Sequence, residues 1–286
     1  MRQGFVRALD GLRLHWAGWG LEEIPEDHPT AILVHGFGEH LRRYDHVAQW
    51  LNAGGFAVVA ADMRGHGQSE GQRGHVARYD EYLVDVGAAF DLAARLRPRG
   101  KRLLIGHSNG GLIALRYALS ESGRRPDALV LSGALLELSM QVPALKEKLG
   151  NVLSRVAGAT SMANDIDAAL LSHDAQVVQD YIDDPLVHNQ VTARWFTEMN
   201  AAREDAMTRA PSLSLPTLIL HGGEDGVVSP KGSAKLAEVM EGDVTHIAYE
   251  GFYHEIFNEV ERDRVFGDIA AWLRERELGF PADEES

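Results

Sequence analysis

The strongest constraint on the fold is a set of short apolar runs that recur along the chain. Uninterrupted runs of this kind are typical of strands that are buried on both faces of a parallel sheet. Residues 12–19 differ, because apolar and polar side chains alternate there, and we interpret them as a half-exposed outer antiparallel strand. Residues 244–249 are a further candidate strand. The continuous runs lie at residues 31–35, 56–61, 103–106, 128–132 and 217–221.

Helical patterns separate these runs. The alternation of strand and helix predicts an α/β fold, in which a mostly parallel, doubly wound sheet is covered by helices. Ligands of such sheets bind beyond the carboxyl ends of the strands, so residues that directly follow the apolar runs are the candidates for a functional site. The helical patterns cover residues 40–52, 79–96, 110–120, 230–240 and 258–274.

The alternation breaks once, between the run that ends at residue 132 and the run that begins at residue 217. Roughly eighty residues separate them, so this segment must carry structure of its own. We interpret residues 137–210 as a helical cap within a single domain of residues 1–286, since α/β domains of this length are often single. Apolar residues at steps of three and four predict an amphipathic cap helix. They are Leu138, Val142, Leu145, Leu149, Val152 and Val156.

Composition disfavours several classes of function. The formal net charge of −14 disfavours binding to nucleic acid or to anionic membrane surfaces, which needs clustered basic residues. The chain has no cysteine, which excludes disulfides, thiol nucleophiles and cysteine-ligated zinc. The first ten residues lack the apolar core of a signal peptide, and no segment approaches the length of a membrane span. We therefore expect a cytoplasmic protein.

Three short segments place chemically active side chains just beyond predicted strands. They supply Ser108, Asp225 and His254, in the chain order that α/β-hydrolases use for a serine nucleophile, its orienting acid and its base. A Gly-x-Ser-x-Gly pattern alone is weak evidence. Ser108, however, lies between a predicted strand and a predicted helix, where a tight turn needs flanking glycines. An ordinary glycine-rich turn is the alternative interpretation.

The base and the acid are chosen by position. His254 lies in the loop after the last predicted strand, from which it can return to the carboxyl edge of the sheet. Asp225 and Glu224 are adjacent, and only one of them can face the histidine. Asp62 is expected to hold its own loop by local hydrogen bonds. The competing histidines, which can equally be packed structural residues, are His35, His66, His107 and His221.

An acyl-transfer site also needs donors for the oxyanion that develops on the substrate. The glycine-rich loop at residues 35–38 follows a predicted buried strand and can turn its amides inward. We predict that the backbone N–H groups of Phe37 and of Asn109, the residue after the nucleophile, form this oxyanion hole.

Six motifs together make the chain resemble the monoacylglycerol lipase and lysophospholipase group of serine α/β-hydrolases, nearly from end to end. Singly, the first and third of them occur across many hydrolases. The motifs are His-Gly-Phe-Gly-Glu-His at residues 35–40 with Arg-Tyr at 43–44, Arg-Gly-His-Gly-Gln-Ser-Glu-Gly at 64–71, Gly-His-Ser-Asn-Gly-Gly at 106–111, Asp-Pro-Leu at 184–186, His-Gly-Gly-Glu-Asp at 221–225 and Tyr-His-Glu at 253–255.

The resemblance implies the α/β-hydrolase fold and a two-step hydrolysis of a carboxylic ester, without a cofactor. It favours Asp225 over Glu224 as the orienting acid. It also implies a set of side chains that hold the glycerol hydroxyls, although two of these residues can equally form a simple i, i+4 helix pair. The set is Glu39, Arg43, His107 and Tyr181, and the pair is Glu39 with Arg43.

The exact ester is left open. The group commonly has Met after the nucleophile, whereas Asn109 places an amide there, which predicts a less apolar acyl pocket. The alternatives to a monoacylglycerol-like or lysophospholipid-like substrate are a broad-specificity carboxylesterase for small or aryl esters, a serine peptidase, and a non-catalytic binding protein on the same scaffold.

The cap helix carries an unusual charge balance. Residues 139–158 contain Lys146, Lys148 and Arg155 but a single acid, Glu147, in an otherwise acidic chain. We hypothesise that this helix touches lipid aggregates and admits a small amphiphilic ester. The alternative is that its apolar stripe only roofs the pocket.

Overall fold

The computed structural model describes residues 1–120, 123–139, 153–164 and 166–280. Its strands, in chain order β1 to β10, are Arg2–Arg7, Arg13–Trp19, Thr30–Val34, Ala57–Ala61, Arg102–His107, Ala128–Ser132, Ser161–Ala163, Gln190–Thr192, Thr217–Gly222 and Val244–Tyr249. The helices whose bounds lie within the described residues, α1 to α7, are Asp45–Ala53, Glu81–Leu96, Asn109–Leu119, Ala175–Asp183, Ala193–Arg209, Pro230–Val239 and Arg262–Glu275. Short 3-10 turns occur at Leu41–Tyr44, Ala168–Leu170 and Ala210–Ser212.

Eight strands form the central sheet in the order β1-β2-β4-β3-β5-β6-β9-β10. The pairs from β4 to β10 are parallel, whereas β1, β2 and β4 pair antiparallel. One face packs against α2, α3 and α6 and the other against α1 and α7, because the apolar side chains of β3, β4 and β5 alternate between the two cores. The predicted α/β fold with a mostly parallel, doubly wound sheet is confirmed.

The amino-terminal strands correct one prediction. Residues 12–19 do contain an antiparallel strand, β2, as predicted, but this strand is neither outer nor half-exposed. The edge strand is β1, which sequence reasoning missed. β2 is buried along nearly its whole length, because β1 covers its outer edge and its two faces reach both cores. Trp16 packs into one core and Trp19 into the other.

The segment between β6 and β9 contains its own secondary structure. Within the described residues it holds α4, α5 and a two-stranded sheet in which β7 pairs antiparallel with β8. Of the predicted amphipathic helix, Val142, Leu145, Leu149 and Val152 lie outside the described residues, as do Lys146, Glu147 and Lys148. The two described members correct the prediction, because Leu138 is not helical but forms an isolated bridge with Val228, and Val156, in the helical residues 153–157, is exposed. The boundaries at residues 137 and 210 stay a prediction. Among the described helices, none combines the length and the apolar character needed to cross a membrane.

The start of α3 packs unusually close to the sheet. A Cβ atom at Gly110 would collide with the carbonyl oxygens of Val34 and His35, at the end of β3. A Cβ atom at Gly106 would collide with the carbonyl oxygen of Gly110. Glycine is therefore required on both sides of the turn that joins β5 to α3.

We predict that Gly110→Ala lowers the free energy of unfolding by about 1–3 kcal/mol, because the added methyl group overpacks this contact. Gly87→Ala, in the middle of α2, is the matched control, since a Cβ atom there meets nothing within 4 Å. It should instead stabilise the protein by about 0.5–1 kcal/mol through helix propensity. Chemical denaturation of both variants measures the difference, and equal effects would contradict the packing argument.

Candidate active site

The turn between β5 and α3 holds Ser108 in a strained backbone conformation. Its φ of 54° and ψ of −119° lie in a region that non-glycine residues rarely adopt. Its amide donates to the carbonyl of Ser132 over 2.9 Å, and its own carbonyl accepts from the amide of Leu135 over 2.9 Å. Bonds to both the sheet and the loop after β6 therefore fix the strained residue at the carboxyl edge of the sheet.

Three side chains from distant parts of the sequence meet at this edge. His254 Nε2 lies 2.9 Å from Ser108 Oγ, and His254 Nδ1 lies 2.6 Å from Asp225 Oδ2. Because a carboxylate only accepts, Nδ1 carries the proton, and Nε2 is left to accept from the serine hydroxyl. This arrangement can activate a serine for attack on a carbonyl carbon.

Among the described residues, four donors hold the Asp225 carboxylate. Oδ1 accepts from the backbone amides of Val227 and Val228, each over 2.8 Å, while Oδ2 accepts from His254 and from His221 Nε2. Burial opposes ionisation of Asp225, but the two histidines outweigh it and lower the pKa of the carboxyl group well below its usual range. Asp225 is therefore ionised throughout the neutral range.

The segment between β6 and β9 contacts the loop that carries the histidine. The amide of His254 donates to the carbonyl of Leu170 over 3.4 Å, and the amide of Glu255 donates to the carbonyl of Leu171 over 2.8 Å. His173 Nδ1 lies 2.9 Å from Glu259 in the same loop. The position of the imidazole thus depends on residues of this inserted segment as well as on the sheet.

Two opposing effects set the pKa of His254, and the attraction of nearby carboxylates outweighs burial. Burial disfavours the imidazolium, but the Asp225 carboxylate, with smaller contributions from Glu255 and Glu39, raises the pKa of His254 above its usual value. The His107 ring lies beside it in a tilted arrangement, with 4.8 Å between ring centroids. Burial and the neighbouring His254 lower the pKa of His107 to about 4, so this second ring is uncharged at neutral pH.

The loop after β3 presents an unpaired amide beside the nucleophile. Within the described residues, the N–H groups of Phe37 and Asn109 donate to no protein acceptor. His35 shapes this loop, because its Nδ1 donates to the carbonyl of Gly36 over 2.7 Å and its Nε2 accepts from the amide of Met63. The two predicted oxyanion donors are therefore free to bind a substrate oxygen.

A buried charge network lies next to the nucleophile. Arg43 donates to both carboxylate oxygens of Glu255, over 2.7 and 2.8 Å, and to Glu39 over 2.5 Å. Burial opposes ionisation of Glu39, but mainly the Arg43 guanidinium lowers its pKa to about 2. The Arg43 guanidinium also lies 4.8 Å from the centre of the Tyr181 ring. Glu39 and Arg43 are thus a contact pair, but a buried one shared with Glu255 and not a solvated pair along a helix.

A cavity of about 30 Å³ adjoins the nucleophile. Three of the four predicted glycerol-binding residues line it, and Arg43 lies behind them. Asn109 does not line it, and its side-chain oxygen accepts from the Tyr79 hydroxyl over 2.7 Å. The effect of Asn109 on the acyl pocket stays a prediction. The lining residues are Gly36, Phe37, Glu39, His107, Ser108, Ile166, Leu171, Tyr181, Val227, His254 and Glu255.

The other candidate residues occupy structural positions. Asp62 accepts from the amides of Leu41 and Gln68, so it holds its own loop as expected, and it also contacts His15. His66 donates to the carbonyl of Arg64. Sequence reasoning missed the contribution of Glu255 to the site. Its place directly after His254 was the available signal.

Comparison with known proteins agrees with this geometry. The family model described as "Serine aminopeptidase, S33" matches residues 25–261. The monoacylglycerol lipase of Mycolicibacterium smegmatis is 33% identical, over 93% of this chain and 94% of its own. The phospholipase YtpA of Bacillus subtilis is 29% identical, over 84% of this chain and 93% of its own. The crystal structure of the Paleococcus ferrophilus monoacylglycerol lipase superposes with a TM-score of 0.82 at 34% identity, covering 91% of this chain and 98% of that one.

We predict that the rate of hydrolysis falls on the acid side as His254 is protonated, because the imidazolium cannot accept the serine proton. Since the pKa of His254 is raised, the acid limb of kcat/KM should have its midpoint above the ordinary histidine value of about 6.5. A pH profile with an uncharged ester measures it. A midpoint below 6 would contradict the electrostatic argument.

Proposed function

Since the chain belongs to the family described as serine aminopeptidase, S33, and within it to the monoacylglycerol lipase group, we propose a substrate class for it. We also propose which residues carry out the reaction. The protein is a carboxylic ester hydrolase, and its proposed substrates are esters of one acyl chain with glycerol or with a glycerol-like head group. We assign catalysis to Ser108, Asp225 and His254. The single observation that carries this assignment is the continuous hydrogen-bonded series from Asp225 through His254 to the Ser108 hydroxyl.

The geometry supports a two-step reaction. His254 Nε2 takes the hydroxyl proton as Ser108 Oγ attacks the ester carbonyl, and the amides of Phe37 and Asn109 stabilise the oxyanion. The alkoxide of the alcohol leaves with the proton that His254 held, and the acyl group stays on Ser108. Water then attacks the acyl-enzyme while His254 takes its proton, the bond from Ser108 Oγ to the acyl carbon breaks, His254 returns the proton to Oγ, and the fatty acid leaves. Asp225 stabilises the imidazolium in both steps without being protonated itself.

The polar residues around the nucleophile support recognition of an uncharged hydroxylated head group. Glu39, His107 and Tyr181 line the small cavity beside Ser108, and each carries a polar group that can bind a hydroxyl. The Tyr181 phenol stays protonated at neutral pH, since burial raises its pKa to about 12.

A peptidase is the second candidate, because the matching family model carries that description. An aminopeptidase must bind the ammonium group of the substrate, and the buried carboxylates of Glu39 and Glu255 line the cavity beside the nucleophile. Both already contact Arg43, which leaves neither as a dedicated ammonium site. This pairing favours the ester over the peptide.

We predict that Ser108→Ala lowers kcat by roughly 10³ to 10⁶ without changing the fold. A fluorophosphonate probe should label the wild type at Ser108 and leave the variant unlabelled. Thermal denaturation serves as the control for folding. A wild type that is folded but resists the probe would favour a non-catalytic binding protein on this scaffold.

We predict that Tyr181→Phe raises KM for a monoacylglycerol about two- to tenfold, the range expected for the loss of one hydrogen bond. An aryl ester of the same acyl chain has no glycerol, so its kinetics should be nearly unchanged. Parallel assays with graded acyl chains, a lysophospholipid and an aminoacyl amide then distinguish the lipase from an esterase and from a peptidase. An equal change for both esters would contradict a glycerol contact at Tyr181.

Two further expectations stay predictions. Contact of the cap helix with lipid aggregates depends on residues outside the described ranges, and vesicle flotation of Leu145→Asp and Lys146→Glu variants would test it. A cytoplasmic location likewise awaits localisation of the protein in cells.

A further inference from the structure

A second histidine contacts the acid of the proposed catalytic site. His221 is the penultimate residue of β9, and its Nε2 lies 3.0 Å from Asp225 Oδ2, the same oxygen that His254 contacts. Both His221 and the Asp225 side chain are fully buried. The two-step reaction described above gives no role to the His221 imidazole.

The partners of His221 fix which nitrogen faces the carboxylate. Nε2 lies near two acceptors, Asp225 Oδ2 and, at 3.1 Å, the carbonyl oxygen of Val228, so it carries the proton and donates. Nδ1 then accepts from the Ser233 hydroxyl on α6, over 2.7 Å. The ring is thereby held between the sheet, the Asp225 loop and a helix.

The donors to the Asp225 carboxylate divide between its two oxygens. The amides of Val227 and Val228 both bind Oδ1, so neither of them fixes the position of Oδ2 directly. The remaining donors both bind Oδ2. His254 belongs to the group that moves protons, so it cannot also serve as the fixed support for Asp225. His221 supplies that support from the rigid end of β9.

We propose that His221 is a positioning residue that fixes Oδ2 of Asp225 and thereby aligns His254 with Ser108. This inference rests on the proposed function, since it concerns the same three residues. An alternative is that His221 only stabilises the loop through Val228 and Ser233. The two interpretations differ in whether the effect of removing His221 passes through the Asp225 carboxylate.

A double-mutant cycle separates them. His221→Leu should lower kcat about 10- to 100-fold with little change in KM, because a misplacement of about 1 Å costs roughly that much. Asp225→Asn alone should lower kcat about 10⁴-fold. If His221 acts through Asp225, the double variant should be no slower than Asp225→Asn within about threefold. Independent, multiplying losses would overturn the proposal.

Two further variants guard against a trivial loss of folding. His221→Gln keeps an N–H donor near the position of Nε2 and should recover most of the activity that His221→Leu loses. His246→Leu is the matched control, because His246 lies on the adjacent strand β10 and its Nε2 makes no hydrogen bond to any described residue. It should keep the wild-type kcat. A His221→Gln variant as slow as His221→Leu would overturn the proposal.

A measurement that does not depend on turnover separates this inference from the proposed substrate. The proton between His254 Nδ1 and Asp225 should give a far-downfield resonance in the proton NMR spectrum of the wild type, given its 2.6 Å bond. His221→Leu should shift or broaden it, and His246→Leu should not. If the protein cleaves none of the tested esters while this resonance responds to His221, the substrate assignment fails and the positioning role stands. An unchanged resonance in His221→Leu would overturn the role.

Discussion

The strained backbone of Ser108 is the constraint on which the rest of the site depends. Its positive φ is tolerated because β5 ends directly beneath it and α3 begins directly after it, with glycine at the points where helix and sheet touch. The same turn places the Asn109 amide at the start of a helix, where it has no acceptor among the described residues. One local geometry therefore positions the hydroxyl and one of the two amides that face the substrate oxygen.

Much of this arrangement is predictable from sequence because its signals are local. The strand Ala128–Ser132 occupies the residues that the sequence analysis assigned to it, since burial on both faces leaves a continuous apolar run. Val244–Tyr249 also lies where it was assigned, although it is an edge strand and only partly buried. The meeting of Ser108, Asp225 and His254 follows from the fold itself. Parallel strands end at a common edge, so residues that follow three of them come together whatever their separation along the chain.

What sequence reasoning missed depends on contacts between distant segments. β1 has charged ends and little apolar content, and it is a strand only because β2 offers it a free edge. The burial of β2 follows from that pairing, so no local pattern could reveal it. The bond from Arg43 to Glu255 spans 212 positions, and nothing near either residue indicates its partner. The sequence analysis identified His221 as a histidine at a strand end, but its contact with Asp225 depends on how the loop after β9 folds back.

The bonds that Leu170 and Leu171 accept from the backbone of His254 and Glu255 have a consequence for how this scaffold diversifies. The inserted segment borders the substrate cavity and also holds the loop that carries His254, so a change in this segment can affect both substrate specificity and the reactivity of the site. A chimera that receives the corresponding segment of a relative would keep its turnover only if two backbone carbonyls of that segment still accept from the amides of His254 and Glu255. A substitution that moves either carbonyl is therefore expected to change turnover together with substrate preference, because the same backbone supports both.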